Sequence, residues 1–398
     1  MEERDYYLGF SQAPGIGPKK LELLLKNFGS LKKAWNADYA KLSNILKPVL
    51  TQKFNEFRKQ FNFEEYQLKL QKQKIKFICL QDLEYPPLLK QIPYPPIGLY
   101  AKGNMNIFRG AKVDAKIFSL SAQGSKKLNL KTEGSNESSE NFVSPRANTI
   151  AIVGTRKITS YGREITEMFA GDLARAGLVI VSGMAYGVDG VAHQSAINAS
   201  GKTIAVLGNG VDMAYPRENQ KLYEEILDSG GAVVSEYKPG EPPSMGSFPA
   251  RNRIVAGMSE GILVTEGASD SGSLITANFG LEFGRKVFAV PGPITSQLSK
   301  APLELIEKGA KLVTSAQDIL NELRIKNHEL RTKTQDAKFQ NLSKDELKIV
   351  RLLENERLSF DEIVRRSKLD SSVVASLISM LEIKGIIKSS DGLFQLPT

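Results

Sequence analysis

The sequence predicts an α/β protein, a mostly parallel sheet with helices on both faces and a smaller helical module on either side. Three observations carry this. From Thr149 onward, short β-rich runs alternate with amphipathic stretches of helical length, which is the pattern of strand–helix–strand units. The runs are almost continuously apolar, as strands covered on both faces are. The chain has 398 residues, 41% hydrophobic and 24% charged, too long for one ordinary domain and apolar enough for two or three.

The elements follow in chain order. The N-terminal part, 1–75, carries Pro14-Gly15-Ile16-Gly17-Pro18-Lys19-Lys20 and then LELLLKNFGS. This looks like a helix-hairpin-helix, a module that either offers glycine N–H groups and lysines of its turn to a phosphate or serves as an interaction domain. The basic stretch 69–76 reads as a solvated helix face. The sheet domain spans 76–322. Its expected strands are 149–154, 178–183, 203–208, 232–236, 262–266, 287–292 and 311–315. The expected helices between them are 162–176, 189–199, 218–227, 251–259, 273–284 and 302–308. The stretch 105–148 is rich in Ser, Asn, Lys and Gly, and most of it lacks periodicity. It is expected to be a disordered surface insertion, with only 116–122 alternating weakly, as an edge strand would. A polar linker, 323–340, precedes 341–398. That last segment reads as helices 343–353, 359–366 and 371–384, then a hairpin over 386–395 that turns at Asp391-Gly392, and it resembles a winged helix. Ser343 and Glu346 have capping-box spacing.

Charge and composition narrow the function. Lys and Arg number 53 against 44 Asp and Glu, so the net charge is +9, a balance that fits a polyanionic partner. The charge is uneven. Residues 1–104 hold 17 basic and 10 acidic residues, net +7, whereas 149–320 hold 15 and 18, net −3. One cysteine, Cys79, excludes an intramolecular disulfide framework and a zinc site built on several thiolates. Two histidines, His193 and His328, argue against a multi-histidine metal centre. No metal and no cofactor is expected. The N-terminus lacks the apolar run of a signal peptide, and no stretch of about 18 apolar residues could span a membrane. A cytoplasmic protein is expected.

In open parallel sheets, ligands bind beyond the carboxyl ends of the strands. The loops there are Gly154-Thr155-Arg156, then 182–189 with Ser182, Gly183, Met184, Ala185 and Gly187, then Gly208-Asn209-Gly210. Pro249-Ala250-Arg251-Asn252-Arg253 and Ser271-Gly272-Ser273 complete the set. Glycines let backbone N–H groups approach an anion, and Arg156, Arg251 and Arg253 offer forked donors to phosphate. Each loop alone could be no more than a tight turn; the five together point to a phosphate-binding edge. The dinucleotide fingerprint G-x-G-x-x-G is absent after the first strand of this series, and so is a Walker A loop. Ser182 and Ser271 sit in no nucleophile elbow. His193 reads as a structural histidine that holds a loop, and Glu266 as either a base or an acceptor of backbone N–H bonds.

At these residues the chain resembles the DprA/Smf family, the DNA-processing proteins of natural transformation. The resemblance is carried by Gly154-Thr155-Arg156, SGMAYGVDGVAHQSA (182–196) and GKTIAVLGNGVDMAYP (201–216). It continues through SEY (235–237), FPARNRIVAGMSEGILVTE (248–266), SGSLITA (271–277) and GRKVFAVPG (284–292), with YPPLLKQIPYPPIGLYAKG (85–103) as lead-in. It implies an extended Rossmann-like domain, preceded by a helix-hairpin-helix or SAM-like domain and followed by a winged helix. It implies a homodimer that binds and protects single-stranded DNA and loads a RecA-type recombinase without catalysis. The binding residues so implied are Arg156, Lys202, the glycine loop 182–187 and Phe248, Arg251, Asn252 and Arg253. Tyr186, Tyr215, Tyr237 and Phe248 are candidate stacking platforms.

The sequence departs from the family pattern at Tyr186, at Asp270 beside Ser271-Gly272-Ser273, at SKAPLELI (299–306) and in the length of 105–148. In the last module, the helix 371–384 holds one Lys and one Glu, which favours protein contact over duplex reading. The contrasting class is an enzyme acting on a nucleotide, as in the phosphoribohydrolases of the lysine-decarboxylase-like group. Those carry P-G-G-x-G-T, which the loop 266–273 lacks.

Overall fold

The computed structural model describes residues 1–108, 148–325, 342–353, 357–384, 386–390 and 392–395. The chain forms two compact units, 1–325 and 326–398. The first begins with six helices: α1 (Glu3–Gln12), α2 (Pro18–Phe28), α3 (Leu31–Trp35), α4 (Tyr39–Leu46), α5 (Pro48–Gln60) and α6 (Phe63–Lys72). Gly29, left-handed at φ 77°, ends α2, as a helix C-terminal glycine does. An aromatic cluster holds the six together. Trp35 packs edge-on against Phe10, Phe54 and Phe63, with ring centroids 5.1–5.3 Å apart.

Two antiparallel strands follow, β1 (Lys76–Cys79) and β2 (Gly98–Gly103). The parallel strands are β3 (Thr149–Val153), β4 (Val179–Ser182), β5 (Thr203–Leu207), β6 (Ala232–Ser235), β7 (Gly261–Val264), β8 (Lys286–Ala289) and β9 (Lys311–Leu312). All nine form one sheet in the order β1-β2-β6-β5-β4-β3-β7-β8-β9. The helices between them are α7 (Ser160–Arg175), α8 (Val188–Asn198), α9 (Gln220–Asp228), α10 (Ser247–Gly257), α11 (Gly272–Glu282), α12 (Lys300–Glu307) and, after β9, α13 (Ala316–Glu322).

Side chains alternate across the sheet, as the two-residue period of a strand requires. Ile150 and Ile152 of β3 pack with Phe169, Val188 and Ala192 from α7 and α8. Ala151 and Val153 pack with Ile254 and Val255 of α10 and Ala277 of α11. The chain builds outward from β3 to β6 and then returns to β7 on the other side of β3. That reversal opens the crevice where ligands of such sheets bind.

Three features depart from the sequence expectations. Met105–Phe108 is a 3-10 turn with Met105, Ile107 and Phe108 buried, so the polar insertion does not begin at 105. The rest of that insertion (109–147), with the suspected edge at 116–122, lies outside the described residues, as does 326–341 of the linker region. α10 begins at Ser247, so Pro249–Arg253 is helix and not loop. Ser244 and Ser247 bond each other reciprocally, and a proline is tolerated in a first turn. Finally, the N-terminal helices share a core with the sheet: Phe10, Leu24 and Trp35 belong to one cluster with Tyr100, Ala205 and Val233.

The second unit holds α14 (Lys344–Leu352), β10 (Leu358–Ser359), α15 (Phe360–Ser367), α16 (Ser371–Ile383), β11 (Lys388–Ser390) and β12 (Leu393–Gln395). The three strands pair antiparallel in the order β10-β12-β11, the sheet of a winged helix. Ser343 with Glu346 and Ser359 with Glu362 form capping boxes at α14 and α15. Among the described residues, no helix is long and apolar enough to cross a membrane.

Gly9 tests the aromatic cluster. A Cβ there would lie 2.7 Å from the Trp35 ring and 2.9 Å from Phe63. Gly9→Ala is expected to destabilise the first unit by about 1–3 kcal/mol through overpacking. Urea unfolding followed by the fluorescence of Trp35, the single tryptophan of the chain, reads this as a lowered midpoint at unchanged slope.

Candidate functional site

The carboxyl edge of the sheet is fastened by main-chain contacts between loops. Thr155 N–H donates to Glu266 O at 2.7 Å, and Val188 N–H donates to Thr155 O at 3.1 Å. Gly187 has φ 74°, and a Cβ on it would meet Thr155 O at 2.2 Å. Glycine is therefore required there both for conformation and for space. The buried Glu266 carboxylate accepts from Thr159 N–H at 3.0 Å and from Thr159 Oγ1–H at 2.6 Å. Thr159 in turn caps α7 through Gly162 N–H. Of the two roles open to Glu266, it fills that of a backbone acceptor. Its N–H partner lies after β3, not in the next loop.

Arg251 lies on the inward face of α10, 4% exposed. Its Nη1 donates to Gly183 O, at the end of β4, and to Val206 O, near the end of β5. Asp189 Oδ2 accepts from Gly183 N–H at 3.1 Å and Ala185 N–H at 3.3 Å. Burial raises the Asp189 carboxyl above its ordinary value, and the Arg251 charge opposes that rise. Arg251 was expected to hold phosphate, but its guanidinium is a structural clamp under the loops. Arg253 is likewise committed: Nη2 donates to both oxygens of Glu236.

Above this floor lies a cleft of about 630 Å³. It gathers eleven of the expected binding residues: Gly154, Thr155, Arg156, Gly183, Ala185, Phe248, Arg251, Asn252, Ser271, Gly272 and Ser273. Phe248 and Tyr215 stack at 5.5 Å with planes 27° apart. The Arg156 guanidinium lies 5.5 Å from the Phe248 ring centroid. Arg156 is exposed and makes no ion pair among the described residues. Asp270 is in the lining, so this wall carries the acid that the sequence placed there.

Five expected residues lie elsewhere. Ser182 is fully buried, its hydroxyl donating to Ile152 O at 2.7 Å. Met184 is buried at φ 60°. Gly187 heads α8 beside the cleft. Arg253 turns to Glu236. Lys202 precedes β5 and so stands at the amino edge of the parallel strands, opposite Arg156. Its Nζ donates to Ser229 O. Among the aromatic candidates, Tyr215 and Phe248 line the cleft. Tyr237 is partly buried and its hydroxyl is pushed up to about 12, chiefly by burial. Tyr186 is exposed and donates to Glu218. Arg217, absent from the sequence-derived set, is exposed and opens a 3-10 turn two residues after Tyr215.

His193 is structural. Thr203 Oγ1–H donates to Ile180 O at 2.8 Å, so the same oxygen accepts from His193 Nδ1–H at 2.6 Å. Burial, reinforced by Arg251, lowers the imidazole to about 3.

Two expectations follow. Arg251→Ala leaves two buried carbonyls without their donor and is expected to cost at least about 2 kcal/mol. Arg156→Ala is expected to stay within about 0.5 kcal/mol, as a surface change does; paired denaturation curves compare them. The second concerns acid. Below pH 6.5 the unfolded histidine takes up a proton that buried His193 refuses until about pH 3. Stability is therefore whole above 6.5 and declines as pH falls, by about 1.4 kcal/mol per unit at most. Between pH 6.5 and 5 the parent chain is expected to lose about 1.6 kcal/mol more than His193→Gln.

Comparison with known proteins places this arrangement. The family described as DNA recombination-mediator protein A matches residues 140–324, and the DprA winged helix domain matches 333–392. Protein Smf of Synechocystis sp. is 35% identical over 328 residues, 81% of this chain and 73% of that protein. The DNA processing protein DprA of Bacillus subtilis is 36% identical over 306 residues, 75% of this chain and 91% of that protein. The X-ray structure of DNA processing protein A from Streptococcus pneumoniae superposes with a TM-score of 0.62 at 32% identity. It covers 80% of this chain and 97% of that one. With this breadth of similarity, over the same sheet edge and the same C-terminal module, the chain belongs to the DprA/Smf family of DNA-processing proteins.

Proposed function

We propose that the protein binds single-stranded DNA in the cleft at the carboxyl edge of the sheet, shields it and delivers it to a RecA-type recombinase. It does so without catalysis, as a homodimer, in natural transformation or recombination. One observation carries the DNA reading: the exposed Arg156 guanidinium, without an ion pair among the described residues, beside the Phe248–Tyr215 stack. A cation next to open aromatic faces suits a chain of alternating phosphates and unpaired bases. A duplex keeps its base faces covered, which makes the single strand the fitting partner. Arg217, exposed two residues after Tyr215, makes no ion pair among the described residues and adds a second cation to this loop. Lys202, on the far edge, joins the site only where a strand runs past the cleft. Delivery to a recombinase and dimerisation rest on family membership.

The non-catalytic reading is supported by how the reactive groups are used. Glu266 is bound to Thr159, Ser182 to Ile152 O, and His193 is buried and neutral. Hydrolysis of a nucleotide's glycosidic bond would fall to Asp270, the one unburied carboxylate in the cleft lining. In the C-terminal unit, Val373, Met380 and Ile383 of α16 are exposed at 40%, 49% and 83%. Lys384 is engaged with Glu346 at 2.7 Å. An apolar helix face without free cations suits a protein partner better than a duplex groove.

The test is a titration of matched single- and double-stranded oligonucleotides across salt. Single strands are expected to bind more tightly. Arg156→Ala is expected to weaken them about tenfold or more and to lower the log–log salt slope by about 0.7. Phe248→Ala is expected to lose about 1–3 kcal/mol of stacking with the slope unchanged. Equal affinity for duplex, or release of free base from nucleoside monophosphates at an enzymatic rate, would overturn the reading.

A further inference from the structure

We infer that the groove between the helix-hairpin-helix turn and α11 is a second contact for the same DNA strand, which reaches it after leaving the cleft. The inference rests on the single-strand reading of the cleft and extends it to a surface that the sheet-edge residues do not include.

The groove encloses about 570 Å³. One wall is the start of α2, where Gly17, Pro18, Lys19 and Lys20 line it. Its floor is Pro93-Tyr94, and the far wall is the C-terminal end of α11 with Phe279 and Phe283. Tyr94 is 44% exposed and is held at φ 53°, a left-handed conformation rare for an aromatic residue. Two contacts pin it: Lys19 Nζ lies 4.7 Å over its ring, and Arg253 Nη1 donates to its carbonyl at 3.4 Å. Phe279 and Phe283 stack at 5.7 Å with planes 20° apart. The groove thus repeats the composition of the cleft, with cations set against an aromatic pair and a further ring.

Charge and continuity select the occupant. Arg253 is neutralised by Glu236 at 2.5 Å. Lys19 and Lys20 remain, against the single carboxylate Glu282 in the lining. The surrounding N-terminal segment is the most basic part of the chain, net +7, so a polyanion is favoured over an acid-poor peptide. The two sites are also joined. Asn252 lines the cleft and its neighbour Arg253 lines the groove. Asn252 Nδ2 donates to Gly272 O, tying α10 to the start of α11. α11 then runs 11 residues, about 16 Å at helical rise, from Gly272 in the cleft to Glu282 in the groove. A strand following α10 and α11 out of the cleft therefore arrives at Tyr94 and Lys19.

The test uses the full chain and oligothymidylates of two lengths, about five nucleotides, to fill the cleft alone, and about twenty, to reach beyond it. The triple variant Lys19→Gln, Lys20→Gln, Tyr94→Ala is expected to bind the short strand like the parent and the long strand about tenfold or more weakly. Its salt slope on the long strand is expected to fall by about 1.4, for two phosphates released. Parent-like thermal unfolding of the variant confirms that the loss is not one of folding. Arg156→Ala, run in parallel, weakens both lengths if the cleft reading holds, so failure at the cleft is seen separately from failure at the groove. Long-strand affinity and slope equal to the parent's would overturn the inference and leave the groove to a protein partner.

Discussion

Arg251 donates from one nitrogen to two main-chain carbonyls, Gly183 at the end of β4 and Val206 near the end of β5. Main-chain carbonyls at a strand end have no ladder partner and must otherwise meet water. By supplying them from α10, the guanidinium closes the carboxyl edge of the sheet from beneath. The contact is also why residue 183 is glycine: a Cβ there would stand 2.4 Å from Arg251 Nη1. A buried cation is costly unless its field is answered. Asp189, held by the N–H groups of Gly183 and Ala185, answers it. Cation, glycine and carboxylate form one unit, and the walls of the cleft rest on it.

The same helix carries the clamp and the platform. Phe248 and Arg251 are three residues apart on α10, close to one turn, so burying the arginine fixes where the phenylalanine stands. Phe248 then positions Arg156 through ring contact and Tyr215 through stacking. The exposed groups of the cleft are few, and Arg156 and Tyr215 both pack on Phe248, which α10 holds in place. A domain of net charge −3 thus still presents an exposed guanidinium, Arg156, in its cleft, set there by packing on Phe248 and not by bulk charge.

Much of this was legible in the sequence, for physical reasons. Apolar runs with both faces covered marked β3 to β9, and helical periodicity marked the segments between them. Gly154, Gly183 and Ser271 stood out because strand ends that approach a ligand need small residues. The errors have equally physical causes. An arginine in a glycine-rich stretch looks like an anion donor, and only the fold shows that Arg251 points down and Arg253 sideways. The start of α10 was hidden by Pro249, a helix breaker everywhere except in a first turn. β2 was hidden in a segment read only as a lead-in, and β1 begins at Lys76, the last residue of a stretch read as a helix face. Lys202 could have been placed from sequence alone: it precedes a strand whereas Arg156 follows one, and in a parallel sheet those are opposite edges.

The basic N-terminal helices bear on the site because they cannot swing away from it. The Tyr100 hydroxyl, on β2, bonds both Ser11 and Gln12 of α1. Its ring is fully buried in the core that the helices share with β5 and β6. Arg4 adds an outer tie, donating to Asp82 at 3.0 Å. With these contacts the +7 of residues 1–104 is carried at a fixed place beside the acidic sheet domain. A fixed basic surface steers a polyanion toward one face of the molecule, where a tethered one would spread the same charge over all orientations. Under the proposed single-strand reading, the division of charge along the chain is a division of labour, with encounter assigned to the helices and grip to the sheet edge.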